Sequence, residues 1–177
     1  MTHFKTTEHY SRVRQLNAKI DPESVPREIT MPDAATRELR ARLILEEALE
    51  TIDALGFTVE LPDDYDRGCF PVLIEGVKFE ATHEPDMVEI ADGCADISVV
   101  TMGTLVACGI PDVDLFRLVD TNNLAKFAPG SYRREDGKWI KPPSHQPPDI
   151  GDLLMSFGWD PTAPQQIQEE VDRDTST

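Results

Sequence analysis

From Ala34 to Leu55 the chain contains neither glycine nor proline, and so long an uninterrupted run reads as one continuous helix. Asp33 stands where an N-cap belongs and Gly56 where a helix stops. Leu39, Leu43, Leu45, Ala48, Leu49, Ile52 and Leu55 are expected to give this helix a broad buried face. A second long helix is expected from about Pro85 to Cys108, ending at Gly109-Ile110-Pro111. Gly93 and Gly103 lie inside it. Glycine weakens a helix, so both mark places where another backbone or a ligand comes close. The longest apolar stretch, Ile97 to Ile110, is broken by Ser98, Thr101, Gly103 and Thr104. It falls short of a membrane span and reads as a buried helix.

Shorter elements surround this pair. Tyr10, Val13, Arg14 and Leu16 stand near helical spacing in a first helix from about Glu8 to Lys19, which Pro22 and Pro26 end. Between Phe57 and Thr82, "FTVEL" and "CFPVLIEGVKFEAT" are rich in β-branched and aromatic residues, the pattern of a small hairpin insert at about 57–82. A third helix follows Asp112. From Ala128 onward proline, glycine and aspartate predict an extended tail. The expected fold is mainly α, a helical bundle with a small β-hairpin insert between its two long helices. Residues 1–150 form one domain and 151–177 a partly disordered C-terminal tail. Two long helices and shorter ones make a thin core for one chain, so a homodimer, or a dimer of dimers, would complete the bundle.

The long helices carry the chemistry. Glu46, Glu47 and Glu50 lie on the first, and Glu89, Asp92 and Asp96 on the second. Residues three or four apart share a helix face. Antiparallel packing would therefore bring five or six carboxylates together. Such crowding is repulsive unless a cation relieves it. Oxygen-only donors favour magnesium, with manganese a substitute. Acidic runs are most often solvated helix faces. Here Leu43, Leu45, Ala48, Leu49, Ile90, Ala91, Ala95 and Ile97 are interleaved with them, which argues against a plain surface.

Charge narrows the partners. A net charge of −16 repels a polyanion, so a nucleic-acid polymer is excluded as a ligand, whereas a nucleotide masked by a metal is not. Three cysteines, Cys69, Cys94 and Cys108, form no C-x-x-C pair and suit a reducing compartment. The opening residues contain no apolar signal core, and no membrane association is expected, so the expected location is cytoplasmic. His3, His9, His83 and His145 are scattered. Neither long helix contains a histidine, so the helical Glu-x-x-His pairs of a di-metal oxidoreductase are lacking.

"LILEEALE" followed by "EIAD" resembles the E-E-x-x-E … E-x-x-D signature of the MazG-like, all-α nucleoside triphosphate pyrophosphohydrolases. The blocks "ADGCADISVVTMGTLVACGIP", "DTNNLAKF" and "DGKWIKPPSHQPPDI" extend the likeness, over roughly Arg37 to Ile150, to the phosphoribosyl-ATP pyrophosphohydrolase-like branch. The resemblance implies a dimeric bundle in which magnesium is held by Glu46, Glu47, Glu50 and Asp92. Glu89 opens the second motif, and Asp96 is a further ligand or a neighbour of one. It implies that Glu47 acts on the attacking water. It also implies that Asn123 and Lys126 contact phosphate or sugar, and that Lys138 and Lys141 reach the phosphates. Arg40 and Arg42 are weaker candidates. Each has a plainer role open to it: Asn123 and Lys126 as a helix-end arrangement, the tail lysines as balance for an acidic surface, Trp139 as a tail anchor rather than a base platform. The implied activity is magnesium-dependent cleavage of a nucleoside triphosphate between its α and β phosphates, releasing pyrophosphate and a monophosphate in nucleotide-pool housekeeping. The alternative is a regulatory module that binds nucleotide without turnover. The segment between Glu50 and Glu89 is longer than usual for the family, which bears on the substrate more than on the chemistry.

Overall fold

The computed structural model describes residues 5–60, 77–135 and 137–163. The elements run α1 (Glu8–Ile20), a 3-10 turn (Pro22–Ser24), α2 (Ala34–Ala54), β1 (Phe57–Glu60), β2 (Lys78–Ala81), α3 (Met87–Ala107), α4 (Asp112–Ala125), β3 (Tyr132–Arg133), β4 (Trp139–Ile140) and α5 (Ile150–Ser156). The fold is mainly α, with small two-stranded ribbons, as the sequence pattern predicts. The chain divides into two compact units, Ala35–Thr101 and the remainder, and the division falls within α3.

In the first unit, α2 ends at Gly56, whose φ of +89° is the left-handed conformation that terminates a helix. A Cβ there would strike the carbonyl oxygen of His83 and stand 3.4 Å from the nitrogen of Pro85. β1 and β2 pair antiparallel, with Phe57 opposite Ala81 and Glu60 opposite Lys78. The rings of Phe57 and Phe79 meet edge to face at 6.5 Å. The expected hairpin is therefore a ribbon at both ends of the interval, while residues 61–76 lie outside the described residues. After the ribbon, the Thr82 amide donates to the carbonyl of Gly56 at 2.9 Å and the Asp86 amide to that of Ala54 at 2.9 Å. The Asp86 carboxylate accepts from the amides of Val88 and Glu89, at 2.8 and 3.3 Å, and so caps α3.

The other unit is pinned by a buried carboxylate. Asp112, in the first turn of α4, is fully buried and accepts the backbone amide of Thr7 at 3.0 Å and the Thr7 hydroxyl. The same hydroxyl accepts the amide of Tyr10 and caps α1. Tyr10, Val13 and Asn17 form the buried stripe of α1. Leu16, grouped with them by spacing, is instead exposed, and Asn17 takes the place. The Asn17 side-chain amide donates to the carbonyl of Gly103 at 3.4 Å, so a polar residue is buried there because it has a partner.

Three expectations need correction. Among the described residues α2 shows no broad buried face: Leu39, Leu45, Leu49 and Leu55 are exposed, and of the helix Thr51 alone is buried. The stretch after Ala128 is not simply extended, because it forms the β3–β4 pair and then α5, which Asp149 caps by accepting the Asp152 amide at 2.8 Å. And α3 is long and apolar enough, at a mean hydropathy of 1.4, to cross a membrane by length and composition alone. Glu89, Asp92 and Asp96 on its first half would be costly in a bilayer. Val100, Met102, Val106 and Ala107 on its second half are buried within the protein.

Candidate active site

Three contacts define how α2 and α3 lie side by side. Ala54 meets Asp86, Thr51 meets Gly93, and the Glu47 carboxyl feels Asp96. The numbers fall on one helix as they rise on the other, so the pair is antiparallel. Gly93 sets the spacing. A Cβ at that position would strike the Thr51 hydroxyl and stand 3.2 Å from the Thr51 Cα. Thr51 is itself buried and turns its hydroxyl back to the carbonyl of Glu47 at 2.7 Å, one turn earlier. This tight approach lies one turn from Glu47 and one residue from Asp92.

Gly93→Val tests this crossing. Valine recovers only a few tenths of a kcal/mol in helix propensity, against about 1–3 kcal/mol for overpacking. The expected outcome is a net loss of stability read as a fall in Tm of several degrees. Unchanged thermal unfolding in that variant would mean that the helices are not held this close.

Close approach brings the acidic side chains together. The Glu47 carboxyl is held above its ordinary value first by partial desolvation, and then by Asp96, Glu50, Glu46 and Asp92 in decreasing order. Five of the six carboxylates singled out in the sequence therefore share one electrostatic patch. The sixth, Glu89, lines an adjoining cleft of about 520 Å³ together with Glu50, Asp53, His83 and Asp86, over an apolar wall of Leu49 and Ala54. Glu50 belongs to both groups and joins patch to cleft. Glu46, Glu50, Glu89 and Asp92 are exposed, and Glu47 and Asp96 half-buried.

Among the described residues no three of these groups already converge as a ligand shell. Uncompensated like charges favour separation. The donor set nevertheless fits a hard divalent cation: it is all oxygen, drawn from two helices held close by a glycine, and neutral histidine or thiol is nearly absent. His83 is the exception. Its Nε2 stands 4.0 Å from a carboxylate oxygen of Asp53 and its Nδ1 3.1 Å from the Thr82 hydroxyl. The sequence pattern assigns no role to Asp53, His83 or Asp86; "HEPD", immediately before the helix start, is a signal for the last two. Arg42 is paired with Glu38 on its own helix at 2.6 Å, and a role for it in the site finds no support there.

The predicted substrate-contacting residues lie in the other unit. Lys126, Lys138 and Lys141 line a pocket of about 420 Å³ with Phe127, Trp139 and Ile140. Asn123 is one turn back from Lys126, and its side-chain oxygen accepts the lysine ammonium at 2.7 Å. The structure thus gathers all four. It adds His145, whose imidazole is held below its ordinary value by partial desolvation and then by Lys141 and Lys126.

The family described as phosphoribosyl-ATP pyrophosphohydrolase matches residues 13–123, more than half of the chain. The match takes in α2, the ribbon and α3 with all six carboxylates, and ends at Asn123; Lys126, Lys138 and Lys141 follow it. No curated protein matches the chain.

Proposed function

The chain belongs to the phosphoribosyl-ATP pyrophosphohydrolase family, and from that membership we propose that it is a magnesium-dependent nucleoside triphosphate pyrophosphohydrolase. It would cleave between the α and β phosphates to give a nucleoside monophosphate and pyrophosphate. The family is one of pyrophosphohydrolases. The single observation that carries the finer reading is the crowding of Glu46, Glu50, Asp92 and Asp96 around Glu47 at the α2–α3 crossing.

Glu46, Glu47, Glu50 and Asp92 are assigned as the magnesium ligands, with Asp96 and Glu89 at the edge of the same group; manganese would serve in its place. The bound cation would offset charge on the phosphoryl group under attack and favour ionisation of water. Glu47, the most crowded of the carboxylates, orients the attacking water and takes its proton. Leu49 and Ala54 give the adjoining cleft an apolar wall. Asn123, Lys126, Lys138 and Lys141 are assigned to phosphate and sugar oxygens of the nucleotide.

A panel of canonical and modified nucleoside triphosphates, incubated with magnesium, tests the reading. Pyrophosphate and a monophosphate are expected in equal amounts. Release of inorganic phosphate with a diphosphate, or no product from any member, would refute it.

The proposed assembly is a homodimer that covers the exposed apolar residues of α2 and of the start of α3. Leu45 is 60% exposed, Met87 77% and Val88 73%, values out of place on a finished surface. Light scattering at micromolar concentration should give twice the mass of one chain, and Leu45→Glu should lower it. A wild-type protein with the mass of one chain throughout would rule the dimer out.

A further inference from the structure

The pocket between α4 and the β3–β4 pair has more in it than cations. The chain contains six lysines against 33 acidic residues, and three of the six line this one cavity. Gathering like charges costs energy that an anion would repay. Among the described residues no ion pair engages Lys126 or Lys141. Lys126 is instead aimed by Asn123. Partial desolvation, and then the nearby Lys141 and Lys126, hold the His145 imidazole below its ordinary value, which favours its neutral form, able both to accept and to donate a hydrogen bond. The loop that carries it is tied down. The His145 amide donates to the carbonyl of Pro142 at 3.0 Å, and the Asn122 side chain donates to that of Gln146 at 2.7 Å.

The aromatic component is just as specific. The rings of Phe127 and Trp139 lie 5.1 Å apart, inclined by 46°, yet they remain 60% and 43% exposed. Two large rings that touch each other and still show this much surface leave room for a third planar group. A cavity of about 420 Å³ is within the roughly 300–1,000 Å³ of small-molecule sites. A lining that combines three cations with two open aromatic rings suits a ligand that is itself planar, aromatic and phosphorylated.

We propose that Trp139 and Phe127 form the platform for the base of the nucleotide whose phosphate oxygens are assigned above to Lys126, Lys138 and Lys141. The inference rests on the assignment of these lysines to substrate made above, and adds Trp139 and Phe127 as the residues that determine base preference. Binding here needs no divalent cation, because lysines rather than carboxylates meet the phosphate.

That difference supplies the experiment. The chain has two tryptophans, Trp139 and Trp159, so full-length Trp159→Phe makes Trp139 the sole reporter. Its fluorescence is followed in excess chelator during titration with nucleoside monophosphates, with the free nucleosides, and with inorganic phosphate. Saturable quenching by at least one monophosphate is expected, with binding roughly tenfold or more tighter than for nucleoside or phosphate alone. Lys126→Gln with Lys141→Gln should weaken it by a similar factor, circular dichroism confirming that the fold is kept. In the otherwise wild-type enzyme, Trp139→Leu should raise KM more than it lowers kcat and flatten the ranking of bases. No saturable quenching, quenching equal for phosphate alone, or unchanged affinity in the lysine variant would each overturn the proposal. The hydrolytic reading fails separately. Quenching without pyrophosphate release from any triphosphate leaves the pocket standing and removes the enzyme. Pyrophosphate release with no quenching and an unaltered Trp139→Leu does the reverse.

Discussion

Glu47→Gln is expected to reduce pyrophosphate release by about a thousandfold, while the metal-free protein unfolds at the same temperature as the parent or above it. The two halves of that outcome come from one environment. Glu47 is the carboxylate on which Asp96, Glu50, Glu46 and Asp92 all act, and partial desolvation adds to the cost of its charge. A neutral side chain of the same shape removes the electrostatic cost and keeps the packing. It also removes the group assigned to hold the cation and to take a proton from water. A residue that served only the fold would behave oppositely, losing stability first and activity in proportion. Asp92→Asn, from the facing helix, should show the same split. Release within tenfold of the parent in both variants would defeat the assignment of this patch as the catalytic centre.

The second large effect concerns the cation itself. Chelation should abolish turnover and magnesium should restore it. Magnesium at about 100 times its Kd should also stabilise the fold by ~2.7 kcal/mol, a rise in Tm of about 5–10 °C for a chain of this size. The effect should depend on pH with a definite sign. Because the folded-state pKa of Glu47 is raised, the stability linked to this group is present below the ordinary carboxylate range. It is lost as pH rises through the raised folded value. The metal-free protein is therefore penalised at neutral pH and relieved on acidification through that window. The stabilisation by magnesium should grow as pH rises across it, and Glu47→Gln should flatten its share of the growth. Thermal unfolding at several pH values, with magnesium and with chelator, reads all of this. A magnesium effect independent of pH would place the binding elsewhere.

How much of this could be read from the sequence varied by element. α2 was legible to within a residue at its end, because breakers are absent from Ala34 to Leu55 and Gly56 closes the run. α3 starts at Met87 rather than Pro85, since the capping carboxylate is that of Asp86. The closeness of the two helices was half legible. Gly93 was marked as a place of approach, but its partner Thr51 was not, because a lone threonine on a helix carries no signal of what faces it. The burial of α2 was overread from its leucines, since periodicity says which residues share a face and not whether anything covers it. The helix Ile150–Ser156 was missed, its Asp149 cap and paired leucines hidden within a stretch dominated by prolines. Phe127 and His145 lie inside the blocks "DTNNLAKF" and "DGKWIKPPSHQPPDI", but neither block signals a role for them. They join the lysines only because Phe127 falls just past α4 and the loop carrying His145 returns to α4 through Asn122 and Gln146.

The β1–β2 ribbon has a consequence for how this architecture can vary. Its four rungs clamp the two strands that enter and leave the interval 61–76, and backbone bonds from Thr82 to Gly56 and from Asp86 to Ala54 fasten its base to the helices. The spacing of the acidic helices is thereby fastened by bonds among residues on either side of this interval, and not by how many residues separate Glu60 from Lys78. Chains of this design have a built-in grafting point, at which new recognition surface can be gained or shed in evolution, or a reporter peptide spliced in by an experimenter, without retuning the chemistry next to it.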